Sequence, residues 1–445
     1  MTVRTRFAPS PTGQVHIGNI RAAIYNWLYA RHEGGQFLLR IEDTDRARST
    51  PAAVQAVLDA MTWLGLQWDE EPLYQSTQTA AHLAAAEQLL QAGHAYKEDK
   101  GGTGKGECIL FRMPGTEMCF HDEIKGTLTK QAADMKDFVI VRSDGTPVFH
   151  LANVVDDIHM HITHIIRGDD HVENTYRHVA LFRALGATPP KYAHLPMIVN
   201  AQGKPYSKRD GAAYVGDFRD KGYLPEALFN FLALLGWSPG GDRELMGRDE
   251  MARLFTFDRV QSSAAQFDLV KLLWMNGEYM RALPREEREA ACRAVLQARG
   301  LWNDALPADY LGRVLDSMAE RIKLFTDIAD AGYFFTEDFP FDEKSVQKRL
   351  RKPGALELLA ATRAAYAALP DFSAAAVEAA LRELAAARGL GMGDLVHPVR
   401  VAVSGTAVGP SLFHMLEVLG QARVLRRMDQ ALEKFKSQPV EPAAP

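Results

Sequence analysis

A histidine and a glycine suited to anion binding lie near the start of the chain. His16 precedes Gly18 by two residues, so an imidazole stands beside a position where the backbone can approach a ligand closely. Before them Val3–Phe7 predicts a short buried strand, and after them the apolar spacing predicts a helix with Asn19 as its cap. Because the first amides of a helix have no partner inside it, this turn is typical of an anion-binding site. The alternative is a solvent-facing histidine in an ordinary turn between a strand and a helix.

Two further polar clusters end predicted strands. Glu42–Asp45 follows an apolar strand over Gln36–Ile41, and a second group containing Arg167 and Asp170 ends a strand over Ile162–Arg167. The α/β folds place their ligand-binding groups at the carboxyl ends of strands, which favours a functional role for the first cluster. A solvated turn at the first cluster and a structural ion pair at the second are the alternatives.

A basic loop follows the strand predicted over His194–Val199. It extends from Gly203 to Gly211 and contains Lys204 and Lys208. Basic residues in a loop rich in glycine and proline are usually only solvated. By itself this segment therefore indicates no particular chemistry.

Together these segments resemble the signature motifs of the class I aminoacyl-tRNA synthetases. Residues 6–18 read RFAPSPTG and, after two residues, HIG, which is similar to the HIGH motif of the glutamyl and glutaminyl branch. The run RIEDTDR at 40–46 matches the same branch, and residues 203–211 resemble the KMSKS loop that accompanies a HIGH motif. The resemblance to the bacterial glutamyl-tRNA synthetases extends over essentially the whole chain.

The resemblance implies an enzyme that uses ATP and Mg²⁺ to convert L-glutamate into glutamyl-adenylate and transfers it to the 3′-terminal adenosine of tRNA(Glu). In-line attack of a carboxylate on the α-phosphorus needs no protein nucleophile, so the protein contributes positioning and stabilisation of phosphate charge. The residues implied in catalysis are His16, Gly18 and Lys208. Those implied in ATP binding are His16, Gly18, Asn19, Asp170, Ser207 and Lys208. Those implied in glutamate binding are Arg6, Ala8, Ser10, Glu42, Phe149, Asn153 and Arg167.

The charges in this set suit glutamate as the substrate. Arg6 and Arg167 match its two carboxylates, because the planar guanidinium binds a carboxylate through two parallel hydrogen bonds. Glu42 matches the ammonium group. A neutral glutamine side chain would leave one of the arginines unpaired in the site.

Three positions depart from the family pattern. Asn19 replaces the last histidine of HIGH, Pro205 replaces the first lysine of the basic loop, and Phe149 replaces a tyrosine whose hydroxyl helps to hold the substrate. A non-enzymatic regulatory relative is therefore one alternative. A second is the related enzyme that glutamylates a modified tRNA base and lacks the anticodon-binding part, but the long segment after Pro284 argues against it.

The predicted fold class is α/β: a Rossmann-like parallel-sheet catalytic domain split by a small α+β insertion and followed by all-α tRNA-binding domains. Within it, Pro147–Asp157 predicts a strand, and the glycine-rich run Lys97–Glu107 predicts an unstructured connection. The predicted domains are the first catalytic half (1–75), a connective insertion that binds the acceptor end (76–147), the second catalytic half (148–200), the KMSKS-type loop with a helical stem-contact domain (201–284) and a helical anticodon-binding domain (285–445).

The composition is ordinary for a globular protein. The 445 residues are 47% hydrophobic and 24% charged, with a formal net charge of −5. This charge does not exclude a nucleic-acid partner, since phosphate contacts need only local basic patches. No apolar run approaches the ~18 residues that span a bilayer, and no signal-peptide pattern is evident. We therefore expect no association with membranes, and the odd count of three widely spaced cysteines fits a reducing cytoplasm. We also expect a monomer.

The sequence also favours a protein without zinc. Some relatives bind zinc in the insertion through a Cys-x-Cys pair, but this chain has Tyr96-Lys97-Glu98 at that place. The remaining candidate ligands, Cys108, Cys119 and His121, are too few for a structural site, which is nearly always four-coordinate.

Overall fold

The computed structural model describes residues 2–45, 48–99 and 106–436. The chain divides into two compact units, Met1–Met275 and Asn276–Pro445. In the described part of the chain, no helix has the length and apolar character required to cross a membrane.

The first unit contains all the strands of the described residues together with helices α1 to α8. The strands are β1 (Arg4–Phe7), β2 (Gln36–Ile41), β3 (Leu73–Tyr74), β4 (Ala95–Asp99), β5 (Glu107–Phe111), β6 (Met118–Asp122), β7 (Gly126–Lys130), β8 (Phe138–Val141), β9 (His164–Gly168), β10 (Lys191–Leu195), β11 (Ile198–Val199) and β12 (Ala265–Gln266). The helices are α1 (Ile17–His32), α2 (Pro51–Trp63), α3 (Thr79–Gln91), α4 (Phe149–His159), α5 (Val172–Ala184), α6 (Val215–Asp220), α7 (Pro225–Leu234) and α8 (Arg248–Leu254). Helix α9 (Leu269–Ala282) contains the point of division.

The parallel strands of the first unit confirm the predicted α/β class. β1, β2 and β3 pair in parallel in that order, as do β9 and β10. The backbone amide of Thr163, directly before β9, donates to the carbonyl of Arg4 in β1 at 2.9 Å, which brings the two parallel groups side by side. The carboxyl ends of β1, β2 and β9 therefore lie close together, as the motif residues require.

Part of the predicted insertion extends this parallel sheet. The hairpin of β6 and β7 joins it because β6 pairs in parallel with β10, with Tyr192 opposite Asp122. Strands β4, β5 and β8 form a separate antiparallel sheet. The expectation of an unstructured connection over Lys97–Glu107 is wrong at both ends, because Lys97 belongs to β4 and Glu107 to β5; residues 100–105 between them lie outside the described residues.

The strand predicted over Pro147–Asp157 is wrong: the residues form helix α4. The two adjacent valines favour a strand locally, but the packing of the segment against α3 and α5 overrides this weak preference. Asn153 and Asp157 are four residues apart, so the helix places both side chains on one face. The change from strand to helix therefore decides which polar groups meet in the site.

The described part of the second unit, 276–436, is helical, as predicted for the segment after the catalytic domain. Its helices are α10 (Arg285–Ala298), α11 (Tyr310–Met318), α12 (Glu343–Arg349), α13 (Ala355–Ala367), α14 (Ala374–Arg388), α15 (Met392–Ser404), α16 (Leu412–Leu419) and α17 (Gln421–Lys436). Helix α13 packs against both α15 and α17, and buried residues such as Leu359, Val399 and Met428 fill the space between them.

Candidate active site

Most of the predicted site residues line one cleft of about 530 Å³ in the first unit. The cleft lies at the carboxyl ends of β1, β2 and β9, beside the first turns of α1 and α4. The predicted residues that line it are Arg6, Ala8, Ser10, His16, Gly18, Asn19, Glu42, Phe149, Asn153, Arg167 and Asp170. Ser207 and Lys208 do not line it, although Pro205 and Tyr206, directly before them, do.

His16, the first residue of the HIG motif, is the N-cap of helix α1. Its backbone is extended, and its Nδ1 accepts a hydrogen bond of 3.1 Å from the amide of Gly18. The prediction of Asn19 as the cap is wrong, because α1 already begins at Ile17 and the amide of Asn19 donates to the carbonyl of His16. Burial lowers the pKa of His16, so the ring is neutral at pH 7. With Nδ1 occupied as an acceptor, Nε2 carries the proton, and a hydrogen bond between the ring and the backbone of Tyr206 counteracts the effect of burial on the pKa.

The residues directly after the basic loop are joined to the His16 segment by backbone hydrogen bonds. The amide of Ile17 donates to Ala213, and the amide of Val215 donates to Val15. The ring of Tyr214 lies edge-on to the His16 imidazole, with centroids 5.9 Å apart. These contacts fix the distance between the histidine motif and the loop that carries the catalytic lysine candidate.

Within the loop, Ser207 and Asp210 form a short capping box. The carboxylate of Asp210 accepts from the amide and the hydroxyl of Ser207 at 2.9 and 3.0 Å, and it also accepts from Asn200 at 2.8 Å. The hydroxyl of Ser207 is thus engaged inside the loop, and the turn it stabilises leads into Lys208.

Glu42 lies between an arginine and an amide at the end of β2. Its Oε1 accepts from Arg40 Nη2 at 3.1 Å and from Asn153 Nδ2 at 2.7 Å. Burial raises the pKa of Glu42, and Arg40 counteracts this. The buried Oδ1 of Asn153 has no hydrogen-bond partner among the described residues, so the cleft wall offers an acceptor as well as a carboxylate.

A buried carboxylate that the sequence reasoning missed, Asp157, joins the arginines below the cleft. Its Oδ1 accepts from Arg6 Nε at 3.0 Å and from Arg40 Nη1 at 2.5 Å. Burial raises the pKa of Asp157, but the two arginines outweigh it and hold the pKa below its usual range. The available signal was its spacing of four residues from Asn153, which becomes informative only once the segment is known to be a helix.

Arg167 differs from these arginines because no carboxylate of the described residues pairs with it. Its Nε donates to His194 Nε2 at 3.3 Å, and its Nη2 donates to Thr175 Oγ1 at 2.7 Å and to the carbonyl of His171 at 3.3 Å. The side chain is 8% exposed and lines the cleft. Burial lowers its pKa to about 10, so it stays charged at pH 7. A buried, charged guanidinium without a counter-ion is a site for an anionic ligand.

Phe149 occupies the first turn of α4 among three imidazole rings. The ring centroids of His150, His171 and His178 lie 5.4, 6.3 and 5.7 Å from its own. The side chain supplies an aromatic wall to the cleft and no hydrogen bond.

No group of three or more histidine, cysteine or acidic side chains in the described ranges is arranged to hold a metal ion. Cys108 is half-buried on β5, whereas Cys119 is exposed on β6 in a different sheet. The expected absence of zinc stays a prediction.

Comparison with known proteins identifies the family. The model for "tRNA synthetases class I (E and Q), catalytic domain" matches residues 2–102 and 98–274, and that for "Anticodon binding domain" matches residues 286–432. The chain therefore belongs to the class I aminoacyl-tRNA synthetases of the glutamyl and glutaminyl branch.

Individual relatives narrow the assignment. The chain is 42% identical to a glutamate–tRNA ligase of Xanthomonas campestris pv. campestris (strain B100), covering 98% of this chain and 99% of the relative. It is 39% identical to that of Moorella thermoacetica, covering 96% and 98%. A crystal structure of a glutamate tRNA ligase from Elizabethkingia meningosepticum in complex with its amino acid superposes with a TM-score of 0.86 at 30% identity, covering 97% and 99%. Within its class the chain belongs to the glutamate–tRNA ligases, which attach glutamate to tRNA.

Proposed function

We propose that the cleft binds L-glutamate with one carboxylate on Arg167 and the ammonium group at Glu42 and Asn153. The observation that carries this proposal is the guanidinium of Arg167, buried in the cleft wall and without a carboxylate partner in the described residues. The free acceptor Oδ1 of Asn153 and the carboxylate of Glu42 supply what an ammonium group needs.

The balance of charge supports an acidic amino acid in particular. Arg6 and Arg40 pair with Asp157 and Glu42, whereas Arg167 has no carboxylate partner among the described residues. We place the side-chain carboxylate of glutamate on Arg167. Glutamine, which has a neutral amide at that position, would leave this buried guanidinium unpaired, which is costly.

The first turn of α1 and the basic loop provide the matching groups for ATP. Gly18 and Asn19 lie in the first turn of α1, where the helix dipole favours phosphate, and their amides donate to His16 within the protein. His16 lines the cleft, and Lys208 would neutralise the triphosphate, with Ser207 shaping the loop and Asp170 at the cleft edge. Mg²⁺ enters with ATP, where it bridges phosphate oxygens and offsets their charge. Ala8 and Ser10, after β1, complete the wall beside the amino acid.

The match to an anticodon-binding domain supports tRNA(Glu) as the ligand of the second unit. Residues 286–432 match an anticodon-binding domain, and we propose that this part binds the anticodon end while the insertion near 76–147 receives the acceptor end. We also propose that the enzyme acts as a monomer in the cytoplasm.

ATP–pyrophosphate exchange tests the proposal directly. We expect exchange with glutamate and much less with glutamine, and no activity at all would favour the regulatory alternative. Arg167→Gln should raise the KM for glutamate at least roughly 30-fold, since a hydrogen-bonded charged group is worth about 2 kcal/mol or more, and should leave the KM for ATP unchanged. Arg31→Gln, which removes an exposed partner of Asp69, is the matched control. Equal KM values for glutamate in the Arg167 variant and the parent protein would refute the assignment.

A further inference from the structure

Asp122 and His194 form a buried pair outside the cleft. His194 contacts Arg167, and Asp122 contacts His194. Both side chains are fully buried, Asp122 at the end of β6 and His194 in β10. Asp122 Oδ2 and His194 Nδ1 are 2.6 Å apart. The other ring nitrogen of His194, Nε2, lies 3.3 Å from Arg167 Nε and 3.0 Å from Thr175 Oγ1.

The surroundings of Asp122 keep its carboxylate ionised. Its oxygens accept from the backbone amides of His194, Ile124 and Lys125 at 3.1, 3.0 and 2.9 Å. Burial raises the pKa of Asp122, but His194 and these amides outweigh it and lower the pKa. An ionised carboxylate only accepts hydrogen bonds, so the proton of the contact to His194 belongs to Nδ1.

This arrangement fixes the tautomer of His194. Burial lowers the pKa of His194, so the ring is neutral at pH 7 and carries a single proton. With that proton on Nδ1, Nε2 has a lone pair and accepts from Arg167 Nε. In the opposite tautomer, an N–H would point at the guanidinium, which has only donors to offer.

Neutral anchors have a specific advantage for a substrate-binding arginine. A carboxylate in contact with Arg167 would neutralise the charge that the ligand needs, whereas His194 and Thr175 hold the guanidinium and leave its charge uncompensated. We propose that His194 is a positioning residue for Arg167 in glutamate binding and that Asp122 acts through it by selecting the Nδ1–H tautomer. This inference rests on the proposed role of Arg167. It also assigns a task to the insertion, whose strand β6 supplies the carboxylate.

The tautomer of His194 can be measured directly in the parent protein. In the full-length enzyme labelled with ¹⁵N-histidine, long-range ¹H–¹⁵N correlation spectra distinguish Nδ1–H from Nε2–H. The His194→Leu variant identifies the signals of His194 by their disappearance. We expect the Nδ1–H form in the parent protein, and the Nε2–H form there would overturn the proposal.

Kinetics test the consequence for the substrate. Asp122→Asn places an amide donor opposite Nδ1 and should reverse the tautomer, raising the KM for glutamate about tenfold or more while leaving the KM for ATP unchanged. His194→Leu should raise the KM for glutamate to a similar extent. His194→Gln retains an acceptor for Arg167, so its KM for glutamate should be much closer to that of the parent protein. Equal changes in both KM values, or no change in either, would overturn the proposal.

A matched control is available in the same unit. His82 and Asp156 form a second buried pair, with His82 Nε2 and Asp156 Oδ1 2.7 Å apart, and neither contacts Arg167. His82→Leu removes a buried imidazole of the same kind, so it should reduce stability and leave the KM for glutamate unchanged. A rise in that KM equal to the one in His194→Leu would indicate a merely structural effect and contradict the positioning role.

The Arg167→Gln background separates this inference from the proposed function. If Arg167 binds glutamate and His194 positions it, adding Asp122→Asn to Arg167→Gln should raise the KM for glutamate no further. If Arg167→Gln alone has no effect, the proposed function fails. If Arg167→Gln raises the KM and Asp122→Asn in the parent background does not, only the positioning role fails.

Discussion

The ammonium group of Lys208 lies 5.8 Å from the centroid of the Tyr214 ring. The same ring meets the His16 imidazole edge-on at an interplanar angle of 87°. Tyr214 therefore stands between the two motifs that we assign to ATP, in contact with both. A cation over an aromatic face is held only weakly, and Lys208 itself does not line the cleft.

Lys208→Ala is expected to keep the fold and to slow adenylate formation severely. One cation that stabilises phosphate charge in the transition state is typically worth several kcal/mol, or about 100- to 1000-fold in rate. Single-turnover formation of glutamyl-adenylate measures this step. Lys204→Ala, in the same loop, is the control and should have a smaller effect. Equal rates for the Lys208 variant and the parent protein would remove Lys208 from the catalytic set.

Tyr214 offers a finer test of how the loop is held. Tyr214→Leu should raise the KM for ATP about two- to fivefold, because an exposed cation–π contact is worth roughly 0.5–1 kcal/mol. Tyr214→Phe retains the aromatic face and should behave like the parent protein. If both variants bind ATP equally well, the ring has no part in placing Lys208.

The sequence predicted the elements with strong local signals. Strand β2 matches its predicted bounds, and β1 begins one residue later than predicted. The motif residues of the cleft were also found, because they lie in short runs typical of the family. Each of these signals lies within a short stretch of the sequence, so no contact with a distant segment is needed to recognise it.

The errors came from interactions between distant segments. Segment α4 was predicted as a strand, and its packing against α3 and α5 overrides the strand preference of its valines. The pairing of β6 with β10 joins residues about 70 positions apart, so nothing near Asp122 in the sequence pointed to His194. Asp157 escaped notice for the same reason, since its partners Arg6 and Arg40 precede it by more than a hundred residues.

Zinc analysis directly tests the prediction that the insertion binds no zinc. Protein purified without chelators should contain far less than one equivalent of zinc, because Cys108 and Cys119 lie in different sheets and a structural site needs four ligands. Elemental analysis by mass spectrometry measures the content. A stoichiometric tetrahedral zinc bound by both cysteines would contradict the prediction.

Phe149→Tyr should improve glutamate binding. The phenylalanine ring lines the cleft without a donor, and a tyrosine hydroxyl would add a hydrogen bond to a charged group, worth about 1.5–3 kcal/mol at most and less where water already supplies part of it. We expect the KM for glutamate to fall severalfold at saturating tRNA, with the KM for ATP nearly unchanged. Phe149→Leu, which removes the ring, should not show this gain. If the tyrosine variant binds glutamate no better than the parent protein, the cleft is adapted to phenylalanine.

The stability of the first unit should fall as the pH drops from about 6.5 to 4, and His164 should account for part of the loss. Burial lowers the pKa of His164 to about 4, while the unfolded chain takes up the proton near 6.5. Between these values the unfolded state binds more protons than the folded state, so acid favours unfolding, by an upper limit of about 3 kcal/mol for this group. Burial lowers the pKa of His150 to about 4 as well, and it adds to the same trend.

His164→Gln should therefore reduce this pH dependence without abolishing it. Urea unfolding followed at pH 7 and pH 4.5 gives the two free energies, and their difference should be smaller in the variant than in the parent protein. Tyr29→Phe is the matched control, since it removes the hydroxyl 3.3 Å from His164 Nε2 and retains the titrating imidazole. It should lower stability at both pH values and keep the full pH dependence. An unchanged difference in His164→Gln would show that His164 does not contribute to the acid sensitivity.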